Sequence, residues 1–176
     1  MLETERLRLR PWRPTDADAF AAMNADPEVM ADLGGPYGRE ASDAKLARYA
    51  EAFERLAYTR WLAETRDGAE FVGYIGLLPV GEDHPLAPSS EIGWRLVRSA
   101  WGRGYATEAA RAALADAFGR LGLVEVAAFT SAENHRSQAV MARLGMTREP
   151  HRDFEHGDPH AQWKGLVWIA RPADPH

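Results

Sequence analysis

Between Glu91 and Leu121 a strand-like run, a glycine pair and the clearest amphipathic helix of the chain follow one another without a break. In Glu91-Ile92-Gly93-Trp94-Arg95-Leu96-Val97, Ile92, Trp94 and Leu96 share one face at period two. In 105–121, Ala106, Ala109, Ala110, Ala113, Leu114, Ala117, Phe118 and Leu121 share one face at helical spacing. A strand handing over to such a helix across Trp101-Gly102-Arg103-Gly104-Tyr105-Ala106 points to an α/β architecture. Glycines at this turn let the backbone come close to a ligand, and the first N–H groups of the helix point outward with partial positive charge. The turn is therefore either an anion cradle or simply a tight connection. The dinucleotide-binding version needs a third glycine where Thr107 stands, and is disfavoured.

The remaining pattern fills in the domain. Arg6-Leu7-Arg8-Leu9-Arg10 alternates like a half-buried strand and is closed by Pro11 and Pro14. Thr15 is placed to cap a helix through Asn24, and Asp26-Pro27 reads as a second helix start. Leu46, Tyr49, Phe53 and Leu56 predict a helix over 39–57. Runs 58–65 and 70–78 flank Asp67-Gly68, a hairpin turn signal, and 79–90 reads as a loop. Strands are expected at 123–130, 147–155 and 163–170, with a helix at 135–144 capped by Gly145. The expectation is one domain over 1–176, with a mixed, mostly antiparallel sheet and flanking helices.

Composition narrows the function classes. The 176 residues carry 21 Lys and Arg against 26 Asp and Glu, a net charge of −5, which argues against a protein built to grip nucleic-acid phosphates. With no cysteine there is no disulfide framework, no Cys-ligated zinc and no thiol nucleophile. No apolar run reaches membrane-spanning length and the first residues lack signal-peptide order, so a cytoplasmic protein with no membrane partner is expected.

Asn134-His135-Arg136-Ser137 and Leu144-Gly145-Met146 complete a set of spaced motifs. Together with Leu2-Glu3-Thr4-Glu5-Arg6-Leu7-Arg8-Leu9-Arg10, Glu91-Ile92-Gly93-Trp94 and Trp101 to Ala109, they make the sequence resemble the GNAT superfamily of N-acetyltransferases, and within it the RimJ/RimL-like group. The resemblance spans nearly the whole chain. It implies the GNAT fold, whose sheet splays between the fourth and fifth strands, and acetyl-CoA as co-substrate. It places Trp101, Gly104 and Ala106 on the family's pyrophosphate loop, with Trp replacing the usual Gln or Arg. By the same resemblance the N–H groups of Arg103, Gly104, Tyr105, Ala106 and Thr107 meet the pyrophosphate, Leu96, Val97 and Arg98 pair with pantetheine, and Asn134 binds it too. Asn134 reads equally as the cap of the following helix.

Acetyl transfer needs a neutral amine, help for the developing oxyanion and a proton for the departing thiolate. The tyrosine that many members use for that proton is replaced by Met141, and the resemblance points to Ser137 instead, which also reads as an ordinary first-turn serine. Glu91 is the expected base, with His84 a weaker alternative, and a backbone N–H near Val97 is expected to meet the oxyanion. The acceptor is expected to be a peptide or protein N-terminal amine first, and a small amine such as an aminoglycoside, amino acid or polyamine second. A non-catalytic acyl-CoA-binding module is the rival reading. His151, His156, Asp158 and His160 raise a metal site, but they lack helical ligand spacing, and a polar surface loop is favoured over a metal-dependent hydrolase. Homodimers are common in the family. Residues 15–90 hold 14 acids and 6 bases whereas 91–122 hold 3 and 5, a split that suits a cationic acceptor and an anionic co-substrate.

Overall fold

A short strand β1 (Leu2–Glu3) precedes the alternating strand β2 (Leu7–Arg10), whose Leu7 and Leu9 are fully buried. The computed structural model describes residues 1–156 and 163–172, grouped into two compact units. The first comprises Met1–Leu78 and Gly93–Ala113, the second Pro79–Ile92 and the chain from Leu114 onward.

In the first unit the strands run in the order β1, β2, β3 (Arg60–Thr65), β4 (Phe71–Pro79) and β5 (Ser90–Leu96, here from Gly93). The β1–β2, β2–β3 and β3–β4 pairs are antiparallel, and the β3–β4 register shifts between Ala63 and Glu64. The hairpin signal at Asp67-Gly68 is realised, although Ala69 takes the left-handed conformation (φ 52°). Gly73 (φ 139°) lets β4 press against β5, since a Cβ there would sit 2.1 Å from the Arg95 carbonyl oxygen. Helices α1 (Ala17–Ala25), α2 (Pro27–Met30) and α3 (Arg39–Leu56) supply the other layer. Trp12, Phe20, Met23, Val29, Tyr49, Leu62 and Tyr74 form its core, with Trp12 edge-on to Phe20 at 4.8 Å. Asp26 caps α2 as expected, accepting from the Glu28 N–H at 2.8 Å. Thr15 does not cap α1: it lies inside a 3-10 turn (Pro14–Asp16), where the Asp16 carboxylate takes the Arg13 N–H at 2.6 Å.

In the second unit Ser90–Ile92 of β5 pairs parallel with β6 (Val126–Thr130), Glu91 opposite Ala127. Strand β6 pairs antiparallel with β9 (Trp163–Ala170), which also carries β7 (Thr147–Arg148) and β8 (Phe154–His156). The mostly antiparallel α/β character matches the expectation. Two strand expectations need correction. The predicted strand 123–130 begins only at Val126, because the Leu123 N–H is spent on the Ala117 carbonyl at the end of helix α4 (Tyr105–Gly119). The predicted strand 147–155 is cut in two by a 3-10 turn at Pro150, whose ring has no N–H for the ladder. Helix α5 (His135–Arg143) ends with Gly145 left-handed (φ 73°), as its sequence predicts.

Candidate active site

The glycine turn belongs to the first unit. After β5, residues Arg98–Ala100 make one 3-10 turn, then Gly102 (φ 74°) and Gly104 (φ 79°) take left-handed conformations that side-chain-bearing residues adopt at a cost. The Glu108 N–H makes the first helical bond, to the Gly104 carbonyl, so the N–H groups of Tyr105, Ala106 and Thr107 have no carbonyl one turn upstream. Arg103 is exposed, and its guanidinium makes no ion pair among the described residues. The loop therefore offers uncommitted donors and one free cation at a helix N-terminus, a set that fits an anionic diphosphate.

A brace that the sequence reading overlooked fixes this loop. The Glu108 carboxylate accepts from the Thr4 hydroxyl (2.6 Å), the Arg6 N–H (2.8 Å) and Arg6 Nε (2.7 Å). Arg6 Nη1 donates to the Arg103 carbonyl at 2.9 Å, and its guanidinium lies 4.8 Å from the Tyr105 ring centre. Burial alone would raise the Glu108 carboxyl, but these donors outweigh it and hold it below its ordinary value. Arg6 and Glu108 both stand inside the quoted motifs, yet alternation reads Arg6 only as the polar face of a strand. Their pairing across 102 positions has no local signal.

Trp101 is more than a tolerated departure. Its indole N–H donates to the Leu96 carbonyl at 3.0 Å, and the Arg98 guanidinium lies 4.7 Å from its ring centre, so the side chain ties the loop back to the strand. Arg98 also reaches the Glu28 carboxylate at 3.2 Å. The backbone of Val97 is already used: its N–H donates to Val72 and its carbonyl accepts from Ala100, both at 3.0 Å. The Val97 N–H is thus committed within the fold, and the oxyanion donor expected near Val97 would be a neighbouring N–H. Strand alternation points the N–H of Leu96 to the opposite edge of β5.

Glu91, Asn134 and Ser137 all belong to the second unit. Glu91 is half-buried at the start of β5. Asn134 is the cap of α5, its Oδ1 accepting the Ser137 N–H at 3.1 Å. Ser137 is therefore the capped residue, and its hydroxyl makes no hydrogen bond among the described residues. It sits in the first helical turn, where the dipole favours negative charge and so eases loss of a proton. Met141 is buried in the same helix. His84 stacks on Phe129 at 5.1 Å, and its Nδ1 accepts the Leu86 N–H at 3.1 Å. A neutral imidazole in that arrangement carries its proton on Nε2, so it can donate there but not accept, which weakens it as a base.

Among the described residues no group of three or more His, Asp or Glu is placed to hold a metal, and Asp158 and His160 lie outside those residues. Among them, too, no helix is long and apolar enough to cross a membrane.

Comparison with known proteins brings these observations together. The profile of the "Acetyltransferase (GNAT) domain" family matches residues 6–147. The FsC-acetyl coenzyme A-N(2)-transacetylase of Aspergillus fumigatus is 32% identical over 155 residues, covering 83% of this chain and 64% of that protein. The crystal structure of an acetyltransferase from Agrobacterium tumefaciens superposes with a TM-score of 0.82 at 30% identity, over 97% of this chain and 94% of that one. RimL, a ribosomal L7/L12 alpha-N-protein acetyltransferase solved with coenzyme A, shares the fold at 15% identity with a TM-score of 0.78, over 96% of this chain and 95% of that one. With the family profile covering both the braced glycine loop and the Asn134–Ser137 helix start, the chain belongs to the GNAT N-acetyltransferases, which take their acetyl group from acetyl-CoA.

Proposed function

We propose that this chain, as one catalytic domain, moves the acetyl group of acetyl-CoA directly to a primary amine within a ternary complex. The observation that carries this reading is the Trp101–Thr107 loop, with its two left-handed glycines, uncommitted N–H groups and Arg6–Glu108 brace. In this reading the N–H groups of Gly104, Tyr105, Ala106 and Thr107, with the Arg103 side chain, hold the pyrophosphate. Leu96 at the outer edge of β5, Arg98 and Asn134 orient the pantetheine arm, and the Leu96 N–H, next to Val97, is the donor to the developing oxyanion. The bound thioester supplies the activated acyl group. Glu91 takes the proton of the incoming ammonium, directly or through a water, and Ser137 gives one to the departing sulfur. No covalent acyl-enzyme is invoked, because the chain has no cysteine and no Ser-His-Asp spacing that would activate a serine.

A peptide or protein N-terminal amine is the first acceptor class by family analogy. A small amine is the second reading; the Aspergillus relative is named for acetyl transfer from acetyl coenzyme A to an N(2) position. Acting in the cytoplasm and as a homodimer are further parts of the proposal.

Two measurements test it. Acetyl-CoA at a hundredfold excess over its Kd should stabilise the fold by about 2.7 kcal/mol, a Tm rise of roughly 5–10 °C for a chain of this size. No shift at millimolar acetyl-CoA removes the core of the reading, including its rival as a non-catalytic acyl-CoA-binding module. Glu91→Gln should lower kcat/KM about tenfold where the amine is mostly protonated, and less as the pH approaches the amine's own pKa. A uniform loss across the pH profile assigns Glu91 a structural part instead.

A further inference from the structure

The first unit holds a second gathering of cationic side chains that the glycine loop does not use. Lys45 projects from α3 into the space between Tyr37 and Tyr74, its Nζ 5.0 Å and 5.7 Å from their ring centres. It has no carboxylate partner among the described residues. Arg95, on β5, reaches the Val29 carbonyl and the Asp32 carboxylate, yet its Nε is buried without an acceptor. Tyr74 is buried at the centre, edge-on to Tyr49 at 5.4 Å, with Lys45 and Arg60 over its ring and the charges of Lys45, Arg95 and Arg60 all acting on its phenol.

The electrostatics of this cluster are unbalanced. Burial pulls the Lys45 ammonium below its ordinary value, only partly offset by Tyr74. Burial would raise the Tyr74 phenol, but Lys45, Arg95 and Arg60 outweigh it and bring it down to about 8. A half-buried ammonium without a carboxylate and an orphaned guanidinium N–H both carry a desolvation cost that an arriving oxyanion would relieve. The cluster's outer side is formed by Lys45 and Tyr37, both only half-buried, and most of Asp32–Gly38 is exposed, while the Arg95 Nε and Tyr74 are buried within it.

We propose that Lys45, the Nε of Arg95 and the Tyr74 hydroxyl form a receptor for an oxyanion on the acceptor, which favours the second acceptor class over the first: a small amine, one bearing a carboxylate or a phosphate. This rests on the acetyltransferase reading, which gives the phosphates of the co-substrate their own place at the Trp101–Thr107 loop and leaves the acceptor as the ligand for a second anion site. It reverses the expectation of a cationic acceptor drawn from the acidic balance of residues 15–90. Net charge along the chain counts exposed acids, whereas recognition depends on the few side chains folded inward.

The test uses the whole protein saturated with CoA, so that the loop is occupied. Millimolar inorganic phosphate and acetate are added separately, to distinguish phosphate from carboxylate recognition. At least one of them raises the Tm of the wild type by a few degrees; Lys45→Gln abolishes the rise and Lys45→Arg restores part of it. In turnover assays with paired amines, an amino acid against its amide and phosphoethanolamine against ethanolamine, the anionic member of at least one pair has the higher kcat/KM, by about tenfold. Lys45→Gln lowers that member's value at least tenfold more than the neutral member's. The Tm rise of Lys45→Gln with acetyl-CoA reports that the variant is folded. Three results overturn the proposal: no anion-dependent shift, an equal shift in Lys45→Gln, or neutral amines and neutral peptides acetylated as well as anionic ones. Each leaves the acetyltransferase reading standing, which fails if acetyl-CoA is not bound or if no amine is acetylated.

Discussion

Arg10→Ala is expected to lower the unfolding free energy by about 3–5 kcal/mol, the usual cost of removing one partner from a buried ionic network. Arg10 ends β2 with its side chain inside the first unit, where Nε donates to Glu64 at 2.9 Å and the two terminal nitrogens donate to the two Asp16 oxygens at 2.8 and 2.9 Å. All three side chains are about nine-tenths buried, so solvent screens them little, and the deletion leaves Asp16 with the Arg13 N–H and Glu64 with the longer Arg8 contact at 3.4 Å in place of a buried guanidinium. Arg10→Lys should recover only part of the loss, because an ammonium cannot reproduce the two parallel bonds to Asp16. Burial opposes ionisation of Asp16, but Arg10 and the Arg13 N–H outweigh it and hold its carboxyl below the ordinary value. A carboxyl lowered in the folded state contributes stability that is present above its unfolded pKa of about 3.9 and is lost as the pH falls through the folded one. The deficit of Asp16→Asn relative to wild type should therefore be full at neutral pH and shrink below about pH 4. Denaturant titration at several pH values checks both, with the m-value unchanged. A deficit below about 1 kcal/mol for Arg10→Ala would show that the network contributes no more than a surface pair does.

The same network marks where sequence reading stops. Period-two alternation in 6–10 identifies the strand, and it makes Arg10 one of three equivalent polar-face arginines. Alternation carries no information on which of them turns inward, since that is decided by Asp16 and by Glu64, on a strand 54 positions away. Elements with strong local grammar were legible: the 105–121 stripe, the Asp26-Pro27 start, the Asp67-Gly68 turn and the Gly145 stop each depend on neighbours in sequence. The strand 147–155 misled because Pro150 interrupts an otherwise polar run that ends on Phe154, and Thr15 because it falls inside the 3-10 turn Pro14–Asp16 ahead of α1. In the site, the glycine loop and Asn134 were readable as motifs. Val97 was not, since its backbone is consumed by a β4 neighbour and by the turn that follows. The Tyr74 cluster left no trace for the same reason: Lys45, Tyr74 and Arg95 come from three elements, and each reads alone as an ordinary residue of its own helix or strand.

Ser137→Ala is expected to lower kcat about a hundredfold, the low end of what a positioned proton donor supplies. The low end applies because a thiolate, with a parent pKa near 8.5, leaves more readily than an alkoxide or an amide anion. The fold should tolerate the change. Asn134, not the Ser137 hydroxyl, caps α5, and alanine is a better helix former than serine, so stability should stay within about 0.5 kcal/mol of wild type. Acetyl-CoA affinity should likewise change little, which separates this variant from Asn134→Ala. That substitution removes the cap, costs about 1 kcal/mol of stability and is expected to weaken co-substrate binding through the same side chain. A Ser137→Ala enzyme with unchanged kcat would retire the serine as the acid. Met141, seven positions after Asn134, has no proton to give, so the departing thiolate would then have to be protonated by water. The rate of Ser137→Ala should also rise less with pH than that of wild type, because the amine becomes a better nucleophile in both while the hydronium that must replace the serine becomes scarcer. A profile parallel to wild type but lower throughout would instead mark Ser137 as a residue that positions the thioester.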